Sequence, residues 1–272
     1  MEIIKNIFDL NKAIKSFNNF GFVPTMGGIH NGHISLIKKS QKKTKKTIVS
    51  IFVNPKQFNK KKDFAKYPRN LNRDIKILKK LNIDILFIPS SREIYKKKFN
   101  TIKLSKSDKI LCAKFRKGHF EGVLDVMDRF TSLIKPRKIF MGEKDFQQLF
   151  LVKNYIERKY KSKIILCKTV RNKNKLALSS RNILLKKKEI TNAEKLSKDL
   201  ILFKKKLIKK KEILKLIKVK KNELKKTYNV YIEYFELRNI NSLKKTNKLK
   251  NSKLFIAYYI NGVRLIDNFW NL

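Results

Sequence analysis

The chain is short of cysteine, histidine and acid. Its 272 residues include two cysteines and three histidines, and 21 Asp and Glu stand against 68 Lys and Arg. Cys112 and Cys167 lie far apart without paired-thiol spacing, which excludes a disulfide framework and a thiolate zinc site and fits a reducing compartment. Long apolar runs are missing too. The N-terminal "MEIIKNIFDLNKAIKSF" is interrupted by Glu2, Lys5, Asp9 and Lys12, so it has no unbroken core for a signal peptide. No stretch approaches the roughly 20 apolar residues of a membrane span. The expectation is a soluble, cytoplasmic protein.

Lysine is in excess. A formal net charge of +47 invites a nucleic-acid or anionic-membrane reading. The lysines run from Lys5 to Lys253 among abundant Asn and Ile, a bias that AT-rich coding produces and a single basic face does not. Charge spread this way predicts weak, salt-sensitive contact with polyanions and no specific nucleic-acid partner. With 42% hydrophobic residues, the chain can fill one large core or two smaller ones.

Short β-branched apolar runs alternate with amphipathic stretches over the first two thirds. Gly21 to Thr25, Thr47 to Asn54, Ile83 to Ser90, Lys138 to Lys144 and Lys163 to Val170 read as buried strands. Helical spacing covers Ile34 to Lys46, Arg69 to Leu81, Val123 to Ile134 and Asp145 to Tyr160. This alternation predicts an α/β fold with a Rossmann-like, doubly wound parallel sheet. Ligands of such sheets bind beyond the carboxyl ends of the strands. "PTMGGIH", "NPKQF" and "GEKD" each follow a predicted strand and so converge on one edge.

Near Lys173 the pattern changes. A lysine-rich helical stretch, Lys186 to Lys226, precedes "YNVYIEYFELRN" and "LFIAYYINGVRLIDN", which read as antiparallel strands with Asn261-Gly262 as a hairpin turn. The expected division is residues 1–174 and a smaller α+β domain, 175–272. Lysine runs such as Lys209 to Lys211 read as the solvated face of the helical region, with a membrane-surface or calmodulin-type helix as the less economical reading.

The stretch "FVPTMGGIHNGHISLIKK" carries the chemistry. A strand ends at Pro24, Gly27 and Gly28 let a ligand approach the backbone, and a helix beginning near His33 offers unpaired N–H groups, an arrangement suited to phosphates. His30 and His33, three residues apart, can face one side and donate to one phosphate group. Phosphoryl or nucleotidyl transfer needs stabilised charge on the phosphorus oxygens and no covalent enzyme intermediate. Two histidines that merely cap a helix are the structural alternative. "GGIHNG" fits neither the P-loop nor the dinucleotide fingerprint.

"PTMGGIHNGHISLI" resembles the HxGH signature of nucleotidyltransferases and class I aminoacyl-tRNA synthetases. With "VSIFVNPKQF", "YPRNL", "GHFEGV", "FMGEKDFQQL", "LALSSRN", "ELRN" and "RLIDN" in the same order, nearly the whole chain resembles the pantoate–β-alanine ligase family (pantothenate synthetases). The resemblance implies that ATP and pantoate form pantoyl adenylate, which β-alanine then attacks, with Mg²⁺ assisting and the chain a homodimer. It implies a first domain that binds ATP and pantoate. ATP would contact Met26, Gly27, Gly28, Ile29, His30, Asn31, Gly32 and His33, then Gly142, Glu143, Lys144 and Asp145, then Val170, Leu178, Ser179, Ser180 and Arg181. His33 would be the proton donor, with His30, Lys144, Ser179 and Arg181 completing the catalytic set. Gln57 and Gln148 would hold pantoate, and Gln57 also β-alanine, since neutral amides orient a carboxylate without competing for it as a cation would. Ligands for Mg²⁺ are not identified. Another HxGH nucleotidyltransferase, acting on a phosphate ester, is the alternative.

Three positions depart from the family pattern: Glu121, Asp125 and Met127 stand where Arg, a small hydroxyl residue and Val are usual. Two carboxylates facing an anionic substrate would weaken its binding. The expectation is that they point away or pair with neighbouring lysines.

Overall fold

The computed structural model describes residues 1–15, 19–59, 61–207 and 212–270. They form two compact units, Met1–Lys168 and Thr169–Leu272. Lys209 to Lys211 lie outside the described residues.

The first unit is a six-stranded sheet in the order β1-β4-β3-β2-β5-β6, every neighbouring pair parallel. The strands are β1 (Glu2–Ile4), β2 (Phe20–Thr25), β3 (Lys46–Ile51), β4 (Ile85–Phe87), β5 (Lys138–Gly142) and β6 (Lys163–Cys167). The helices are α1 (Ile7–Ile14), α2 (Asn31–Lys43), α3 (Lys61–Ala65), α4 (Leu71–Lys80), α5 (Ser91–Tyr95), α6 (Leu111–Phe115), α7 (His119–Ile134) and α8 (Phe146–Lys159). The doubly wound expectation holds. Leu36 and Ile37 of α2 and Leu78 of α4 share one cluster with Val23, Val49 and Leu86 of the strands. The alternate strand residue Phe22, together with Phe87, meets Phe130 of α7 edge-on, at ring separations of 5.5 and 6.1 Å. Burial on both faces is what makes these strands continuous apolar runs.

Chain order dictates where a ligand fits. From β2 the chain steps one way through β3 to β4, then returns to place β5 and β6 on the other side of β2. The direction of winding therefore reverses between β2 and β5. Helices leaving adjacent strands in opposite directions open a crevice at that point.

Several element ends differ from expectation. The strands expected to reach Asn54, Lys144 and Val170 stop at Ile51, Gly142 and Cys167, because apolar character continues into the turns that follow. β1 is too short to give a periodic signal. Helix α2 starts at Asn31, earlier than the expected His33, because the His30 side chain caps it.

The second unit is a three-stranded antiparallel sheet, β7 (Tyr231–Asn239), β8 (Ser252–Ile260) and β9 (Val263–Trp270), in sequential order. Helices α9 (Lys187–Leu207) and α10 (Ile213–Tyr228) pack on it through Leu196, Leu200, Ile217 and Leu224 against Ile232, Leu254, Ile256 and Tyr258. The β8–β9 turn is Asn261-Gly262, with φ of 45° and 77°, the paired left-handed residues that a tight hairpin requires. The segment around Leu176 joins this unit for physical reasons. Leu176 lies in its core, Glu194 of α9 accepts from Asn172 and Asn174 at 2.7 and 2.8 Å, and Arg171 pairs with Asp267.

Candidate active site

Between β2 and β5 the chain assembles two of its three imidazoles. His30 has extended backbone, and its Nδ1 accepts the Gly32 N–H at 3.0 Å as the cap of α2. A Cβ at Gly32 would lie 2.7 Å from the His30 ring, so only glycine lets the ring fold over the first turn. The His33 ring stacks on His30 with centroids 4.1 Å apart. One imidazole does cap the helix, as the structural alternative supposed, and in doing so its tautomer is fixed: with Nδ1 accepting, a neutral ring carries its proton on Nε2. His33 Nδ1 is buried with no hydrogen-bond partner among the described residues.

Burial pulls the His30 pKa down to about 4, with the Lys144 charge adding to the effect and Asp145 opposing it. His33 is pulled down to about 3 by burial, then by His30 and Lys144. Both rings therefore favour the neutral form near pH 7, in which each carries one N–H. Lys144 sits in a 3₁₀ turn, Glu143–Asp145, directly after β5. Its ammonium lies 3.4 Å from the Asp145 carboxylate. Gly142, at the end of β5, has open space where a Cβ would project.

The glycine loop differs from the phosphate cradle the sequence suggests. Gly27 and Gly28 have φ of 79° and 63°, but their amides face inward. Gly27 N–H donates to Thr25 Oγ1 at 3.1 Å, and Gly28 and Ile29 N–H donate to the Asp74 carboxylate at 2.7 and 2.8 Å. The Ile29 side chain is in the core, Met26 is half-buried and Asn31 is exposed.

A second corner follows β3. Asn54 Nδ2 donates to Gly122 O at 2.9 Å, while its Oδ1 accepts from Lys56 N–H at 3.2 Å and from the Tyr95 hydroxyl at 2.7 Å. His119 Nδ1 lies 2.7 Å from the Gln57 carbonyl oxygen and its Nε2 lies 2.9 Å from Arg116 Nη1. Because guanidinium only donates, Nε2 accepts and Nδ1–H donates to Gln57. Gly122 backs directly onto the Lys56–Gln57 peptide, where a Cβ would fall 2.2 Å from the Lys56 oxygen. The Gln57 backbone is thus clamped, and its side-chain amide makes no hydrogen bond among the described residues. The adjacent pair Gln147 and Gln148 divides the same way. Gln147 is spent on Cys112 N–H and on the Asp108 and Ile110 carbonyls, and Gln148 is half-buried and uncommitted among the described residues.

Of the departures, Asp125 is paired with Lys56 at 2.9 Å and with Arg129 at 2.8 Å, as the charge argument expects. Glu121 is half-buried on the same helix, and Met127 is buried.

In the second unit, Leu178 N–H donates to the Val170 carbonyl at 3.0 Å, closing a short hairpin. Ser179 caps the 3₁₀ segment Ser180–Leu184, its Oγ accepting Arg181 N–H at 3.3 Å. The amide of Asn182 is buried, and neither of its polar atoms has a partner among the described residues. Missed by the sequence reading were Asp74, Asn54, His119 and Gly122. Asn54 had a signal as the first letter of "NPKQF", and His119 and Gly122 as letters of "GHFEGV"; Asp74 had none.

A doubly wound sheet with an HxGH imidazole pair and a lysine at its switch point defines a nucleotide-using enzyme of the HxGH class. The family described as Pantoate-beta-alanine ligase matches residues 2–270, and the chain belongs to that family. It is 41% identical to a pantothenate synthetase of Azobacteroides pseudotrichonymphae genomovar. CFP2, over 98% of this chain and 99% of the relative. It superposes on a pantothenate synthetase from Thermus thermophilus with a TM-score of 0.91 and 28% identity, covering 99% of each chain. A pantoate-beta-alanine ligase from Francisella tularensis, complexed with beta-gamma ATP and beta-alanine, gives 0.86 and 37%, covering 100% of this chain and 98% of that one. The family match decides for the ligase over other HxGH transferases.

Proposed function

We propose that the chain condenses pantoate with β-alanine through a pantoyl adenylate, with the crevice between β2 and β5 as the adenylation site. A pantoate carboxylate oxygen attacks the α-phosphorus of ATP, the P–O bond to the β-phosphate breaks and pyrophosphate leaves. The β-alanine amine then attacks the acyl carbon, loses a proton and displaces AMP. The observation that carries this reading is the stacked, neutral pair of His30 and His33 within range of the Lys144 charge.

Each residue has a physical task. His30 presents Nε2–H to the phosphate, since its other nitrogen is committed to Gly32. His33 lies against it, and the negative charge that develops on the phosphorus oxygens favours protonation of both rings, so the site becomes more cationic as the reaction needs it. Lys144 offsets phosphate charge, Gly142 admits the nucleoside, and Glu143 and Asp145 flank it. Val170, Leu178, Ser179, Ser180 and Arg181 supply the remaining nucleotide contacts. Gln57 and Gln148 orient pantoate, and Gln57 meets β-alanine.

Among the described residues no group of three or more His, Cys, Asp or Glu is placed to hold a metal ion. Mg²⁺ would enter with ATP and add its charge to that of Lys144 in offsetting the phosphates. We assign pantoate binding and most of the ATP contacts to the first unit, a smaller domain supplying the contacts of Val170 and residues 178–181 to the second, a homodimeric state and a cytoplasmic location. Among the described residues no helix is long and apolar enough to cross a membrane. The test is AMP release: it should require pantoate and β-alanine together, and no AMP with that pair would sink the assignment.

A further inference from the structure

Asp74 has no place in the family motifs that point to the site. It sits in the first turn of α4 and is 1% exposed. Its two oxygens take Gly28 N–H at 2.7 Å and Ile29 N–H at 2.8 Å. The clamp is bidentate, and it holds the residues directly before the His30 cap. Gly27 is shaped to the same group, for a Cβ there would stand 3.0 Å from Asp74 Oδ2. On the opposite side Thr25 Oγ1 accepts Gly27 N–H and donates to Ser50 O at 2.7 Å.

Two consequences follow. The amides of Gly27, Gly28, Ile29 and Gly32 are all consumed within the protein, so these four are not offered to phosphate. A carboxylate under a triphosphate site is also electrostatically adverse, and an anion nest built from the same amides would serve phosphate better without it. Its value is therefore geometric: two left-handed glycines are held in one arrangement, and the imidazole pair is delivered in register.

We propose that Asp74 is a positioning residue for adenylation: it locks the Gly27–Ile29 turn so that His30 Nε2–H is aimed at the α-phosphate, and it keeps the triphosphate off the loop amides. This rests on the ligase reading. The test compares full-length wild type with Asp74→Asn and Asp74→Ala in the two half-reactions. These are pyrophosphate release from ATP and pantoate, and consumption of supplied pantoyl adenylate by β-alanine. Misplacing the imidazoles should slow the first by about 10²-fold in Asp74→Ala and at least about tenfold in Asp74→Asn, with kcat falling more than the KM for ATP changes. The second should stay within about twofold, because it needs no new phosphate charge stabilised. Asparagine fills the same space but can accept only one of the two N–H bonds. Wild-type rates in Asp74→Asn would therefore mean a packing role and overturn the inference, as would equal losses in both half-reactions.

Amide exchange gives a readout independent of activity. Gly28 and Ile29 N–H should be protected in the wild type and lose that protection selectively in Asp74→Ala, and fast exchange at both in the wild type would remove the clamp. A wild type that releases no pyrophosphate with ATP and pantoate overturns the ligase reading, and the adenylation role with it. A wild type that does, alongside an equally fast Asp74→Asn, overturns the inference alone.

Discussion

The corner after β2 and the corner after β3 are built on opposite plans. In the first, the contacts that cap the helix and stack the rings join residues two or three apart, His30 with Gly32 and His30 with His33, and one long-range residue, Asp74, holds the loop before them. In the second they span more than 60 positions, Asn54 to Gly122 and His119 to Gln57. The first corner carries imidazoles whose tautomer and stacking are set by their own turn. The second carries a plain amide whose usefulness depends on how firmly distant residues hold its backbone. Reactive groups can be encoded locally, whereas placing a neutral binding group takes the tertiary fold.

If the corners divide the work this way, breaking each should damage a different step. The largest effect is expected from His33→Ala: pantoate-dependent pyrophosphate release should fall by about 10²–10³-fold, with the thermal unfolding curve of a folded protein. Unchanged turnover would remove His33 from the mechanism. Gly122→Ala comes next, because its methyl cannot coexist with the Lys56 oxygen at 2.2 Å. Moving the Lys56–Gln57 backbone should raise the pantoate KM by about tenfold and cost about 1–3 kcal/mol of stability. The KM for ATP should stay within about twofold, and steady-state kinetics with each substrate varied separates the outcomes. An equal rise in both KM values would merge the two corners into one.

Protons sharpen the first corner further. The unfolded histidines take up protons near pH 6.5, while the folded rings resist down to about 4 for His30 and about 3 for His33. The unfolded state therefore binds more protons in that window. Stability is fully present above the unfolded value and is lost as pH falls through it, by on the order of 2 kcal/mol between pH 7 and 5 after allowing for partial solvent exposure. Denaturant midpoints across that range should show the loss, and a double His30→Asn, His33→Asn variant should flatten it. The smallest kinetic effect belongs to Asp125→Ser. Its carboxylate is committed to Lys56 and Arg129, so the pantoate KM should move by less than about twofold. A larger improvement in pantoate binding would mean that the carboxylate faces the substrate.

These expectations mirror what the sequence could reveal. The parallel sheet is legible because strands buried on both faces are written as nearly continuous apolar runs, as in Ile48 to Val53, broken only by Ser50. The same property blurs their ends, since Phe52 is buried like the strand before it yet lies past the ladder. The HxGH turn is legible because glycine and imidazole at fixed spacing admit few geometries. The partner of its loop amides is illegible for the converse reason: Asp74 stands 46 and 45 residues away from Gly28 and Ile29, and one carboxylate in a helical repeat carries no mark of what it clamps. "QQ" in "DFQQL" shows the same limit, as nothing in the letters says that Gln147 is framework while Gln148 is uncommitted.

The most direct test is a crystal soaked with ATP, Mg²⁺ and pantoate. The account predicts an acyl adenylate whose phosphate lies against His30, His33 and Lys144 between the ends of β2 and β5, with the pantoyl group on the amides of Gln57 and Gln148. A nucleotide bound elsewhere, with both imidazoles still packed only against protein, would contradict it.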